Sequence, residues 1–116
     1  MIITCDSSRF SQYRVMWILV FFDLPTDTKK ERKAAAKFRK DLMGDGFTMF
    51  QFSIYVRHCA SRENMDVHIK RVKSALPEFG NVGILGITDK QFGDIQLFYG
   101  KKEKAPQAPG QQLELF

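Results

Sequence analysis

The stretch "ILVFFDLPTDTKKERKAAAKFRKDLMGDG", residues 18–46, contains the change of period that decides how this chain folds. Its opening is the end of an apolar run, Val15–Phe22, rich in β-branched and aromatic residues. A central strand covered on both faces has that composition. The run stops at a carboxylate, Asp23, with Pro25 close behind. Starting a turn is one use for such an aspartate; holding a charge still at a strand end is another. From Thr28 onward the period becomes helical. Thr28 and Glu31 have capping-box spacing, in which hydroxyl and carboxylate each satisfy a free amide of the first turn. Gly44 and Gly46 supply a stop, so a helix is expected over about 28–43.

Outward from this unit the pattern repeats with variations. "FTMFQFSIYVRH", residues 47–58, is β-rich but carries Gln51 and Ser53 in its middle. It reads as one kinked strand or as two short ones joined near Gln51 and Phe52. A second helix is expected over 61–76, capped by Ser61, with Met65, Ile69, Val72 and Leu76 on one stripe and Pro77 ending it. "NVGILGIT" predicts a strand over 81–88, after which Thr88 and Asp89 open a short helical turn before a strand at Ile95–Tyr99. "GKKEKAPQAPGQQ" has linker composition and leads to a last apolar piece, "LELF", whose alternation suits a short strand added to a sheet edge. Residues 1–13 read as a loose arm, 14–100 as the domain and 101–116 as linker and strand-forming tail. The order β-α-β(β)-α-β predicts an α+β, ferredoxin-like fold: one sheet, both helices on one face, plus an extra C-terminal strand.

Composition narrows the class. At 116 residues there is room for one domain, and a 44% hydrophobic share with 11 Phe supplies a core. Eighteen Lys and Arg against thirteen acids leave +5, which is compatible with a polyanionic partner. Cys5 and Cys59 make neither a zinc spacing nor a disulfide framework, as expected in a reducing cytoplasm. The apolar run is far shorter than the roughly 20 residues that span a bilayer, and charge follows it instead of a cleavage site. No membrane association is expected.

Two features carry candidate chemistry. On a helical projection, Lys29, Lys30, Arg32, Lys33, Lys37, Arg39 and Lys40 fill one half of the first helix, and Ala34, Ala35, Phe38 and Leu42 a narrower opposite arc. The second helix instead mixes His68, Lys70, Arg71 and Lys73 with Glu63 and Asp66 around its polar side. Rows of like charge at i, i+3 and i+4 cost roughly a few tenths of a kcal/mol per pair. A phosphate backbone offsets that repulsion; simple solubility is the competing explanation. Asp23 alone is a poor Mg²⁺ site, but that ion accepts one or two carboxylates with waters and a substrate phosphate. A dimer axis near Asp23 would pair two carboxylates, giving either a metal site or a repulsive pair. Other residues are weaker candidates. His58 and His68 read as structural or surface residues, and adjacent His58 and Cys59 point to opposite faces and make no nucleophile pair. Phe47, Phe50 and Phe52 read as core before base-stacking platform.

The order of an apolar strand ending in "VFFDLP", a basic helix "TDTKKERKAAAKFRKDL" and then "GFTMFQFSIYVR" resembles the small CRISPR-associated spacer-acquisition subunit, the partner of the CRISPR integrase, in the branch that accompanies type II systems. The resemblance covers roughly residues 14–100 and the terminal "QLELF"; the stretch 1–13 has no obvious counterpart, and "YVRHC" stands where acidic or glycine-containing segments are common. It implies a ferredoxin-like homodimer that bridges integrase dimers and holds double-stranded prespacer DNA. It also implies Mg²⁺-dependent endonuclease activity on RNA or DNA in some members, with Asp23 as catalytic and metal residue facing its symmetry mate. Lys29, Lys30, Arg32 and Lys33 match the family's phosphate-contacting positions, and Lys37 extends that basic face. A small stand-alone ribonuclease of the toxin type is the alternative of related fold. A ligand-binding regulatory module leaves the basic helix unexplained.

Overall fold

Strand β1, Met16–Asp23, is the spine of the computed structural model, which describes residues 15–103. It is paired on both sides. β3 (Ile54–Cys59) lies antiparallel along one edge, with Met16 opposite Cys59, and β4 (Asn81–Thr88) along the other, with Asp23 opposite Asn81. β2 (Thr48–Gln51) pairs with the far edge of β3, giving the order β2-β3-β1-β4. Helix α1 (Lys29–Gly44) joins β1 to β2 and α2 (Arg62–Ser74) joins β3 to β4. β1 and β2 therefore run parallel with β3 between them, the split arrangement of a ferredoxin-like sheet.

Alternation along β1 sorts the core into two layers. Met16, Ile18, Val20 and Phe22 face the helices and pack with Phe38 and Leu42 of α1 and Met65 and Val72 of α2. Trp17 points the other way, into a smaller cluster with Phe50, Val56 and Phe92. Phe92 belongs to a short helix, α3 (Asp89–Gly93), and its ring lies 4.0 Å from that of Trp17 at an angle of 8°. The indole N–H donates to Asp89 Oδ1 at 2.7 Å, so this buried side chain leaves no polar atom unpaired. The helix starts follow the capping residues: both halves of the Thr28–Glu31 box form, Ser61 accepts from Asn64, and Thr88 with Gln91 repeats the box on α3.

The β-rich stretch 47–58 is two strands, turned at Phe52 and Ser53, with Ser53 at φ 67. Four expectations need correction. The strand at Ile95–Tyr99 does not join the main sheet: Ile95 and Leu97 cover the Trp17 cluster, and only Phe98–Tyr99 (β5) is extended, paired with Lys102–Glu103 (β6). The far face of the sheet is apolar at that end, and covering it outweighs further strand pairing. The start of the expected linker is thus half of a small hairpin. Leu76 falls beyond the end of α2 and is 46% exposed. His68, placed on the polar side of the second helix, is buried. The arm 1–13 and the "LELF" tail lie outside the described residues.

His68 is buried because Asp45 reaches it. Its Nδ1 lies 2.8 Å from Asp45 Oδ2, and Arg71 Nη1 donates to Oδ1 at 2.8 Å. Arg57 Nε donates to the Asp45 carbonyl at 2.9 Å, while the Asp45 N–H caps α1 through Asp41 and Leu42. One residue after the helix thus fastens α1 to both α2 and β3. Burial alone would raise the Asp45 pKa, but the hydrogen bonds from His68 and Arg71, with their charge, outweigh it and hold the carboxyl below its ordinary value. A depressed folded pKa stabilises the fold above the unfolded value of about 3.9 and loses that contribution as pH falls through the folded value. Asp45→Asn is expected to cost about 1.5–3 kcal/mol at neutral pH, with the gap to wild type closing below about pH 3.9. Urea denaturation across that range checks it; equal midpoints at neutral pH would remove Asp45 from this role.

Candidate carboxylate site and nucleic-acid interface

Asp23 is the last residue of β1 and is exposed on the face shared by Trp17, Leu19 and Phe21. Three local features fix its backbone. The Phe22 N–H donates to the Ser53 carbonyl at 3.0 Å, tying the strand end to the β2–β3 turn. Asn81 lies opposite Asp23 across the ladder. Gly80, at φ +95, passes so close that a Cβ there would sit 2.7 Å from the Asp23 carbonyl oxygen. Further along β4, Gly83 leaves room for the Phe21 ring, which lies where a side chain would otherwise stand. None of these partners stood out in the sequence. A pair of glycines flanking "NV" becomes meaningful only once β4 is set beside β1.

The result is an open cleft of roughly 510 Å³ at the end of the sheet, lined by Asp23, Phe21, Phe52, Ser53, Asn81 and Gly83 among others. Beside it runs an apolar strip that α3 does not reach. Phe21 is 47% and Leu85 49% exposed, with Ile54 half-buried opposite Phe21 and Leu19 half-buried opposite Leu85. A carboxylate therefore stands at the end of an uncovered hydrophobic surface.

Among the described residues, no three His, Cys, Asp or Glu side chains are grouped to hold a metal ion. The donors lining the cleft are oxygens: the Asp23 carboxylate, the Ser53 hydroxyl and the Asn81 amide. That set suits a hard cation such as Mg²⁺, although it supplies only one carboxylate. The chemistry of the residues fits the ion that the resemblance implies, provided a second carboxylate or a substrate phosphate completes the shell.

The basic residues of α1 divide once their neighbours are seen. Lys29 and Lys33 are exposed and have no acidic partner among the described residues. Lys30 lies 5.7 Å from the Phe79 ring, and Lys37 pairs with Asp41 at 2.8 Å in a solvent-exposed contact of small energetic value. Arg32 has a different occupation. Its Nη1 donates to the carbonyls of Thr26 and Asp27, both at 3.1 Å, and braces the loop that leads from Asp23 into α1. Arg39 is half-buried between the rings of Phe22 and Phe52, at 5.7 and 5.6 Å. The cationic half of the helix is thus a row of exposed lysines above two arginines with local tasks.

The remaining candidates resolve simply. His58 lies edge-on to Trp17 at 5.0 Å, while Cys59 is buried in the helix-facing cluster, on the opposite side of the sheet. Burial pushes the Cys59 thiol up, away from the thiolate that a nucleophile needs. Phe47 and Phe50 are core residues as expected, but Phe52 is 81% exposed and is not. The turn at Ser53 throws it outward.

Comparison with known proteins agrees with this geometry. The family described as CRISPR associated protein Cas2 matches residues 16–95, from the first residue of β1 to the segment covering Trp17. A Flavobacterium psychrophilum protein named CRISPR-associated endoribonuclease Cas2 is 64% identical over 109 residues, covering 94% of this chain and 95% of the relative. Its namesake in Parvibaculum lavamentivorans is 55% identical over 101 residues, 87% of this chain and 100% of that protein. The Streptococcus mutans namesake is 40% identical over 88 residues, 76% and 81% of the two chains. With the strand-end carboxylate, the split sheet and the basic helix in their expected order, this chain belongs to the Cas2 family of CRISPR-associated proteins.

Proposed function

We propose that this protein is a dimeric subunit of CRISPR adaptation that binds double-stranded prespacer DNA, bridges integrase dimers, and cleaves phosphodiesters at a site built from two copies of Asp23. One observation carries the reading: Asp23 ends a strand whose outward face, beyond the Trp17 cluster, is an uncovered apolar strip. A surface of that kind calls for a cover, and a second copy packed on it by two-fold symmetry brings the two strand ends near the axis. The relatives' name, CRISPR-associated endoribonuclease, supports a nuclease role for the same carboxylate.

Each part of the site has a task in this scheme. Lys29, Lys30, Lys33 and Lys37 lie along one exposed helix half and neutralise phosphates without reading bases. Arg32 holds the loop that positions α1 against Asp23. The two Asp23 carboxylates would hold Mg²⁺, which when bound polarises a phosphoryl oxygen and lowers the pKa of a bound water. Asp23 makes no ion pair among the described residues, so its charge is available for that use.

Three measurements test these parts separately. Asp23→Asn keeps nearly the same shape without the charge. Mg²⁺-stimulated cleavage of RNA or DNA should fall to the no-protein background while duplex binding is unchanged. Persistent cleavage by the pure variant would sink the catalytic claim and leave the scaffold. Replacing Lys29, Lys30 and Lys33 with Ala should lower the log–log salt slope of duplex binding by about 0.9 for each phosphate no longer neutralised; an unchanged slope rejects α1 as the interface. Arg32 is best spared, since removing it would also loosen the loop. Finally, Leu85→Glu places a charge in the middle of the uncovered strip and should reduce the sedimenting mass to that of a monomer. A dimer that tolerates this change packs elsewhere.

A further inference from the structure

Phe52 is the most exposed large hydrophobic side chain among those described, at 81%, and nothing in the scheme above uses it. Its position is built rather than incidental. Ser53 adopts φ 67, in the left-handed region that side-chain-bearing residues seldom occupy. The Ser53 carbonyl is anchored by the Phe22 N–H at 3.0 Å. The turn therefore holds Phe52 at the rim of the Asp23 cleft, where it forms part of the wall. Behind it stands the Arg39 guanidinium, 5.6 Å from the Phe52 ring and 5.7 Å from the Phe22 ring.

We infer that Phe52 is a stacking platform for one unpaired nucleobase of a single-stranded RNA or DNA segment at the rim of the Asp23 cleft, with the phosphate of that nucleotide drawn to Arg39. This rests on the reading of the chain as a nucleic-acid-binding protein and adds where an unpaired base sits. Two features favour a nucleotide over another protein surface. An aromatic ring of high exposure offers its face to any base, because every base has a π-face. The cation beside it attracts a phosphate, whereas burying an arginine under an apolar partner would strip its hydration without providing a carboxylate. The cleft, roughly 510 Å³ and open, lies within the ~300–1,000 Å³ range of small-ligand sites and suits a single nucleotide unit. Stacking at the rim would keep the adjoining phosphodiester beside Asp23. A duplex has its bases already stacked, so it gains nothing from this ring and depends on α1 alone.

The test uses the full chain and its F52A, F52L and F52W variants. Each is titrated with a fluorescent single-stranded oligonucleotide and with the blunt duplex of the same sequence, in EDTA so that no cleavage intervenes. F52A and F52L should weaken single-strand binding about 5- to 100-fold, F52W should restore it, and duplex binding should be unchanged in all three. Single-strand affinity kept in F52L would mean that apolar bulk suffices, and the platform is wrong. Equal losses on single strand and duplex, or a change of sedimenting mass in F52A, would identify Phe52 as a general or self-association contact instead, and also overturn it. If F52A binds single strands normally while the α1 lysine variant loses the duplex, the platform fails and the wider reading stands. If the wild-type chain binds neither nucleic acid, both fall together.

Discussion

Everything in this fold depends on β1 being hydrogen-bonded along both edges. A strand in that position exchanges its backbone polar groups with neighbours, and its side chains are apolar wherever something packs over the sheet. Met16, Ile18, Val20 and Phe22 meet that demand beneath the two long helices, and Trp17 meets it beneath α3. The register that pairs Met16 with Cys59 and with Thr88 sets which residues share a face. A slip of one residue would turn Asp23 toward the core and Phe22 toward solvent. The placement of the candidate carboxylate is therefore a consequence of the same pairing that builds the hydrophobic core.

What could be seen in the sequence was whatever rests on local chemistry. The capping box at Thr28, the Ser61 cap, the helical turn opened at Thr88 and the apolar run of β1 are short-range patterns, and the structure contains them all. The order of strands and helices followed from the same patterns. Hidden features were those in which distant segments meet. Asp45 looks like one residue of a glycine-flanked stop, yet it fastens α1 to His68 and Arg71 of α2. His68 looks polar on a helical wheel and is buried because Asp45 supplies its partner. Gly80 and Gly83 carry no signal of their own in the sequence, and only their approach to Asp23 and Phe21 explains them. The segment 95–97 has strand composition, but the apolar cluster around Trp17 competes for Ile95 and Leu97 and wins.

The helix α1 shows how a wheel can be right in outline and incomplete in detail. Ala35, Phe38 and Leu42 are buried, so the thin apolar arc is real. Seven basic residues on the other half look alike in projection, yet two arginines among them are engaged in fixing local structure. Arginine suits such positions because its planar fork can reach two carbonyls at once or lie against aromatic rings. The lysines remain as mobile point charges on flexible stems. Such charges suit the duplex contact proposed for this surface, because phosphate contacts need charge more than rigid geometry.

Asp23 can be weighed on the same terms. Asp45 and Asp89 each hold something together, one a pair of helices and the other the indole of Trp17. Asp23 makes no such bond among the described residues, although the backbone around it is held on three sides. An exposed carboxylate without a partner contributes little to the stability of its own protomer, and any small polar residue could end the strand equally well. Rigid support beneath a side chain that stabilises nothing is the arrangement expected where the group acts on something outside the protomer. The same logic separates binding from cleavage in this molecule. The lysines of α1 and the apolar strip are extended surfaces, in which each residue supplies only part of the charge or apolar area. Chemistry at the strand end would hang on a single carboxylate per chain, and that side chain could be lost without disturbing the pairing and packing that build the fold.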